Sequence, residues 1–451
     1  MQPTDDTIVA VATPAGRGGV GVVRLSGPAA DRIARAMAGR DEAWRARHVT
    51  RTRLEGAGLV AEALVTHFPA PRSYTGEDVV ELSVHGSPVV LAAIVERAAA
   101  LGGRLALPGE FTLRAFLNGK LDLVQAEAAR DVVEAVSPGQ ARAAFEQLEG
   151  TLSSALDTVA AELRELELKL EASMDFPDEG YHFIERSDVG LALERIRATL
   201  SSWVDTGAHG RLVREGARVV IAGTPNAGKS SLFNALVGAD RAIVAETPGT
   251  TRDLVTARVV FGDHAVELVD TAGIRESHDG VEREGVRRAD LAVAHADVVI
   301  VVIDGSRLPS ADDQSVLGRA SVGRAVVVAT KSDLAAAWPA GYLGAEAISV
   351  SARTGAGVGE VVAAVARLIT VGAGQVEDVL ITNVRHRALL SAALAHIAYA
   401  HDEFTASGGE LPEEFVAAEV QQALGAMEEV TGRRTAEDLL HEIFSRFCIG
   451  K

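Results

Sequence analysis

The stretch Gly223-Thr-Pro-Asn-Ala-Gly-Lys-Ser230 fits the pattern GxxxxGK[ST] and lies between an apolar run and a helix-like segment. Arg218 to Ala222 (RVVIA) reads as a buried strand, and Ser231 to Val237 (SLFNALV) opens a helix. In that setting the glycines let backbone N–H groups turn inward around phosphates. Lys229 supplies a point charge to the β- and γ-phosphates, and Ser230 can ligate Mg²⁺. The segment is therefore expected to be a P-loop inside an α/β sheet; a glycine-rich turn with a chance Gly-Lys-Ser is the plain alternative.

The segments that follow decide which nucleotide such a loop would hold. Thr250-Thr251-Arg252-Asp253, Asp270-Thr-Ala-Gly273, Thr330-Lys-Ser-Asp333 and Ser349-Val-Ser-Ala-Arg353 come in the order found in a GTPase. Thr251 is placed to close over the γ-phosphate and Mg²⁺. Asp270 ends an apolar strand (AVELVD) as a carboxylate behind the Mg²⁺ ligands, and Gly273 can offer an N–H to the γ-phosphate. Asp333 can accept from guanine N1–H and the 2-amino group together, which adenine cannot match. The residues assigned to the nucleotide are Asn226, Ala227, Gly228, Lys229, Ser230 and Ser231 of the loop, and Ala245, Glu246, Thr247, Pro248, Gly249, Thr250 and Thr251 of the first switch. To these are added Asp270, Thr271, Ala272 and Gly273 of the second switch, then Thr330, Lys331 and Asp333, and last Ser351, Ala352 and Arg353.

Two departures change the chemistry. GTPases usually carry Asn-Lys-x-Asp, and Thr330 stands where the Asn belongs. Its hydroxyl can still tie the base-reading loop to the P-loop but has no amide to reach guanine N7, so weaker affinity with specificity kept by Asp333 is expected. The residue after Gly273 is Ile274, which cannot position water as the Gln of a Ras-type protein does. Glu276, Glu282 and Glu284 are the acidic groups nearest to take over, with Arg252 and Arg275 as internal cations; the acidic residues also suit a helix N-terminus. Asn226 beside Ala245-Glu-Thr-Pro-Gly-Thr-Thr251 suggests a monovalent cation site of amide and carbonyl oxygens. A K⁺ there would supply the charge that an arginine finger supplies elsewhere.

Outside this domain, Pro14-Ala-Gly-Arg-Gly-Gly-Val-Gly21, Tyr74-Thr-Gly-Glu-Asp78, Pro108-Gly-Glu-Phe-Thr-Leu-Arg-Ala-Phe-Leu-Asn-Gly-Lys-Leu-Asp122 with Gln125-Ala-Glu127, and Phe447-Cys-Ile-Gly-Lys451 resemble the MnmE (TrmE) family of tRNA-modifying GTPases over the whole chain. The resemblance implies a homodimer that acts with an MnmG-like, FAD-dependent partner as a heterotetramer. Its product would be a carboxymethylaminomethyl-type group at the wobble uridine of certain tRNAs. A tetrahydrofolate, in its 5-formyl or 5,10-methylene form, would supply the one-carbon unit. The family's folate residues match Arg24, Glu81, Lys120 and Lys451. Its water-orienting glutamate matches Glu282, so Glu282, Lys229 and Thr251 are the expected catalytic residues. Mg²⁺ would fall to Ser230 and Thr251, and K⁺ to Asn226, Ala245, Thr247 and Thr250. Residue types agree, because a folate presents carboxylates at one end and a guanidine-like donor edge at the other. Taken alone, Arg24 and Glu81 read first as a strand-to-strand ion pair, and the resemblance turns that reading toward folate.

A chain of 451 residues is too long for one ordinary core. Short apolar runs (TIVAVAT, GVGVVRLS, EALVTHF, DVVELSV) with helical stretches near Ala29–Ala38 and Ser87–Ala100 predict an α+β domain over 1–120. Helical spacing predicts a first helical part over 121–210 and a second over 376–451, through Ala388–Ala400, Pro412–Val430 and Thr435–Phe447. The GTPase domain, 211–375, is then inserted into one discontinuous α-helical bundle. Gly16-x-Gly18-x-x-Gly21 mimics a dinucleotide fingerprint, but Val20 to Leu25 is strand-like where a helix is required.

The formal charge of −18 argues against broad binding of nucleic acid, so tRNA contact must be local or shared with a partner. No run is long enough to span a bilayer and no secretion signal is visible, so no membrane contact and a cytoplasmic protein are expected. The single cysteine, Cys448, excludes an internal disulfide; it reads as a site-lining or buried structural thiol ahead of a nucleophile. The competing function is an Era-like GTPase of RNA or ribosome assembly without one-carbon chemistry. A third is a folate-dependent aminomethyl transferase in which GTP only regulates.

Overall fold

The computed structural model describes residues 5–56, 58–175, 185–239, 255–271, 290–308, 310–320, 324–337, 347–370 and 379–450. Contacts divide the chain into two compact units. The first is Met1–Arg130 with Gln147–Leu156 and Met427–Lys451; the second is Asp131–Glu146 with Asp157–Ala426.

The first unit opens with β1 (Ile8–Val11), β2 (Gly18–Ser26), α1 (Ala30–Met37), β3 (Thr50–Gly56), β4 (Leu59–Phe68), β5 (Val79–Gly86), α2 (Pro88–Ala100), β6 (Arg104–Leu105) and α3 (Glu110–Leu117). The strands form one sheet in the order β3-β4-β5-β2-β1-β6, antiparallel except between β1 and β6. The period-2 alternation of Val23, Leu25, Leu82 and Val84 buries one face, where Ile33 of α1 and Ile94 of α2 join the core. Each such side chain contributes about 1.5–3 kcal/mol relative to exposure. On the opposite face Ile8 and Ala10 meet Ala106 and Phe111. The dinucleotide-like glycines run into β2, a strand, so no dinucleotide turn forms there.

The helices that follow are α4 (Leu123–Glu134), α5 (Pro138–Leu148), α6 (Thr151–Asp175) and α7 (Arg186–Glu215). Then come β7 (Ala217–Gly223), α8 (Lys229–Ala239), β8 (Val255–Phe261), β9 (His264–Asp270), β10 (Val298–Asp304), α9 (Ala311–Ala320), β11 (Ala325–Thr330), β12 (Ile348–Val350) and α10 (Val358–Thr370). The chain closes with α11 (Val384–Ala406), α12 (Glu413–Thr431) and α13 (Glu437–Ser445). The second sheet runs β12-β11-β10-β7-β9-β8, parallel except for the edge strand β8. Helices cover it, so its central strands are nearly continuous apolar runs such as VVIVVID. Strand order reverses around β7, and the register Val302↔Gly223, Ile221↔Asp270 and Asp304↔Thr330 brings the P-loop, Asp270, Asp304 and Thr330 to one edge.

The helices on either side of this α/β insertion meet. Arg197 of α7 reaches Asp402 of α11 at 2.6 Å, and Thr206 Oγ1 accepts from the Ile381 amide at 3.2 Å. The fold is therefore three-part: an α+β N-terminal domain, a discontinuous helical bundle and an inserted α/β P-loop domain. No helix among the described residues is long and apolar enough to cross a membrane.

Candidate functional site

The P-loop turns sharply between β7 and α8. Gly228 has φ +94°, and a Cβ there would sit 3.3 Å from Thr330 Oγ1, so glycine is needed both for the turn and for the neighbouring loop. Asn226 also lies in the left-handed region, at φ +61°. Lys229 Nζ donates to the carbonyls of Gly223 and Thr224, each at 2.9 Å. A phosphate in the loop competes with those two carbonyls for the same ammonium. Ser230 and Ser231 are exposed at the start of α8, where N–H groups point outward. Ala227 is buried, and Asp270 lies at the end of β9 with Thr271 Oγ1 donating to the Ile221 carbonyl at 2.8 Å.

The base-reading loop is tied to this frame. Thr330, buried at the end of β11, donates its hydroxyl to the Ala227 carbonyl at 2.5 Å and faces the Ile303 carbonyl at 3.0 Å. The hydroxyl thus bridges the two loops where an asparagine amide is usual. Lys331 meets Asp304 at 2.6 Å. Asp333 Oδ1 accepts from Ser351 Oγ at 2.7 Å, and its Oδ2 faces Arg353 Nε at 3.2 Å. The Ser351 hydroxyl, and then the charge of Arg353, hold the Asp333 carboxyl below its ordinary value. Ala352 links these two partners in sequence.

Several expected residues lie outside the described residues. These are Ala245, Glu246, Thr247, Pro248, Gly249, Thr250, Thr251 and Arg252, then Ala272, Gly273, Ile274, Arg275, Glu276, Glu282 and Glu284, and finally Lys451.

A second cluster forms on the first sheet. Arg24 of β2 and Glu81 of β5 are opposite each other in register, and Arg24 Nε and NH2 donate to Glu81 Oε1 at 3.0 and 2.8 Å. This is the expected strand-to-strand ion pair, and it has company. The guanidinium lies 5.4 Å from the Tyr74 ring centroid and 5.7 Å from that of Phe111, with the Gly450 carbonyl 3.5 Å from NH1. Gly450 has φ +96°, and a Cβ would meet the Val11 carbonyl at 2.2 Å, so only glycine brings the tail this close to β1. Lys120 is exposed beside the same loop, its stem 3.3 Å from where a side chain at Gly76 would stand. Cys448 is exposed, which sets aside the buried alternative for this thiol; its carbonyl accepts from the Gly109 amide at 3.4 Å.

A charged nest that residue spacing alone does not mark fixes this region. Arg114 is 2% exposed and donates to the Asp6 carbonyl (2.9 Å), Glu77 (3.2 Å), Glu110 (3.0 Å) and the Asp6 carboxylate. Arg104 reaches Asp6 at 2.5 Å and Glu110 at 2.5 and 3.0 Å. Burial alone raises the Asp6 and Glu110 carboxyls, but the two arginines outweigh it and hold both below their ordinary range. Glu110 and Thr112 flank Phe111 on α3, and Tyr74 Oη lies 2.9 Å from Thr112 Oγ1, so the nest and that contact fix both rings beside Arg24.

A parallel sheet with its P-loop at the strand-order reversal, and a Thr-Lys-Ser-Asp loop tied to that P-loop, define a P-loop GTPase. Residues 7–120 match the family description "GTP-binding protein TrmE N-terminus", and residues 123–448 match "MnmE helical domain". The chain belongs to the MnmE (TrmE) family. It is 42% identical to a tRNA modification GTPase MnmE of Koribacter versatilis (strain Ellin345) over 99% of each chain. It is also 42% identical to the protein of that description from Stutzerimonas stutzeri (strain A1501), over 100% of each chain. Among solved structures, the G domain of the T. maritima FeoB iron transporter is 25% identical over 34% of this chain and 98% of that one, with a TM-score of 0.27.

Proposed function

We propose that this chain is the GTP-hydrolysing member of a complex that modifies the wobble uridine of certain tRNAs to a carboxymethylaminomethyl-type product. The observation that carries this reading beyond a bare GTPase is Arg24, held by Glu81 and flanked by Tyr74, Phe111 and the Gly450 carbonyl. An assembly factor has no use for such a cluster. Its cation, ring faces and carboxylate suit a tetrahydrofolate, with Lys120 and Lys451 as further cations toward the glutamate tail. When bound, that group supplies the one-carbon unit. A homodimer working with an FAD-dependent, MnmG-like protein completes the assignment. Domain 1–120 would hold the folate and dimerise, 211–375 would hydrolyse GTP, and 121–210 with 376–451 would connect them.

In the GTPase domain Lys229 binds the phosphates, Asp333 reads guanine, Thr251 closes over the γ-phosphate and Glu282 orients the attacking water. Ser230 and Thr251 suit Mg²⁺; Asn226, Ala245, Thr247 and Thr250 suit K⁺, whose charge would replace an arginine finger. Hydrolysis resets the switch loops and is not itself the group donor.

Titration with 5-formyltetrahydrofolate tests the folate reading: saturable binding that Arg24→Ala weakens is expected, and no binding by the wild-type chain leaves the assembly-factor alternative. Glu282→Ala should lower kcat about 100-fold or more with GTP affinity near normal. Unchanged turnover moves the role to Glu276 or an arginine. Exchanging K⁺ for Na⁺ should slow hydrolysis, whereas equal rates in the two salts remove the cation from the mechanism.

A further inference from the structure

The second residue of the P-loop has a neighbourhood that nucleotide binding does not require. Thr224 is buried, and its hydroxyl donates to Asp313 Oδ1 at 2.9 Å while accepting from Arg307 NH2 at 3.1 Å. Arg307 grips both oxygens of Asp313, at 2.8 Å from NH2 and 2.7 Å from NH1. Asp313 is fully buried in the first turn of α9 and also accepts from the Ser310 amide and hydroxyl at 2.9 and 2.8 Å. The Asp313 amide donates to Ser310 Oγ at 3.2 Å while Asp313 Oδ2 accepts from the Ser310 amide, and these two contacts cap the start of α9. The reach of the carboxylate and of Arg307 across to Thr224 is additional to the cap.

That reach continues toward the base-reading loop. Arg307 Nε lies 4.0 Å from Asp304 Oδ2, the oxygen that holds Lys331 at 2.6 Å. On its other side Thr224 offers the carbonyl on which Lys229 rests at 2.9 Å. A turn of Thr224 therefore moves a partner of the phosphate-binding lysine. Burial by itself raises the Asp313 carboxyl, yet Arg307, Ser310 and Thr224 together hold it well below the ordinary carboxylate range, so it stays charged and keeps its grip at any ordinary pH.

We propose that Arg307 and Asp313 are positioning residues: they hold the Thr224 end of the P-loop in place and link it through Asp304 to Lys331, so that phosphate and guanine contacts are made to one frame. The proposal rests on the GTPase reading above and adds Arg307 and Asp313, from the β10–α9 segment, to the residues assigned to the nucleotide.

The test uses the full chain, titrated calorimetrically with GDP, beside thermal melts of each variant. Thr224→Val keeps the shape and loses the hydroxyl; Arg307→Met cuts the grip from outside the loop. Each should weaken GDP about tenfold, the size of one charge-assisted hydrogen bond. Because both act through one link, the double variant should lose about tenfold and not about a hundredfold. Thr224→Ser should recover most of the loss that Thr224→Val causes, with melts unchanged between the two. Full GDP affinity in Thr224→Val, losses that multiply in the double variant, or no recovery with Ser would each overturn the positioning role. Failure of the wild-type chain to bind GDP would instead sink the GTPase reading itself, so the two failures are distinct.

Discussion

Asp333→Asn should weaken GDP and GTP binding by about a thousandfold, or about 4 kcal/mol, and should bring in xanthine nucleotides in their place. The carboxylate is shaped as a double acceptor: Ser351 Oγ and Arg353 Nε fix its two oxygens, leaving their remaining lone pairs for guanine N1–H and the 2-amino group. An amide puts a donor against those donors, and the guanine groups then lose water without gaining a partner. Xanthine carries an oxygen where guanine has the amino group, so the same amide can donate to it. Because Ser351 holds the Asp333 carboxyl below its ordinary value of 3.8, the acceptor remains charged on mild acidification. Wild-type GDP affinity should therefore not fall between pH 8 and 5 on account of this group. Titration of both proteins with the guanine and xanthine diphosphates checks this; equal GDP affinity in the variant removes Asp333 from base recognition.

The largest effect on stability is expected at Arg114. Replacing it by Met should cost about 3–5 kcal/mol at neutral pH, because Asp6, Glu77 and Glu110 lose the buried cation that compensates them. Arg104 still covers Asp6 and Glu110, whereas the ion pair of Glu77 is with Arg114. The sign with pH follows from the depressed carboxyls. Asp6 and Glu110 contribute stability above their ordinary values of 3.8 and 4.5, and lose it as pH falls and they protonate. Their protonation also relieves the uncompensated charge in the variant, so the gap between the two proteins should narrow toward pH 4. Urea unfolding at pH 7 and pH 4 measures it. A neutral-pH difference under about 1 kcal/mol would show the nest to be replaceable by packing alone.

Local rules made part of this legible. The P-loop could be read because a backbone turn around phosphate demands glycines and a lysine at fixed spacing, and Thr330 because a hydroxyl there can still tie the base-reading loop to the P-loop, as its contact with the Ala227 carbonyl does. The apolar runs read as strands became β1, β2, β4 and β5. Hydropathy does not mark β3, since Arg51 and Arg53 occupy its exposed face and Leu54 is its one large buried side chain. The Arg307–Asp313–Thr224 grip joins residues 83 and 89 positions apart with no repeating pattern. The Arg114 nest draws Asp6 and Glu77 from distant segments to Arg104 of β6 and to the Glu110–Arg114 pair of α3. Such clusters are set by tertiary closure, which spacing along the chain does not encode.

The contact between Arg24 and the Gly450 carbonyl spans 426 residues. Ribosomes deliver Phe444, Phe447 and Gly450 only after the entire inserted nucleotide domain has emerged, and these residues cover Leu123 and lie against β1. The first sheet to be synthesised thus waits longest for its final layer, while the insertion, whose strands pair among themselves, is free to complete its own core earlier. A chain halted before Phe444 has a finished nucleotide domain joined to an N-terminal unit in which Leu123 lacks its aromatic cover and is open to whatever apolar surface is nearby.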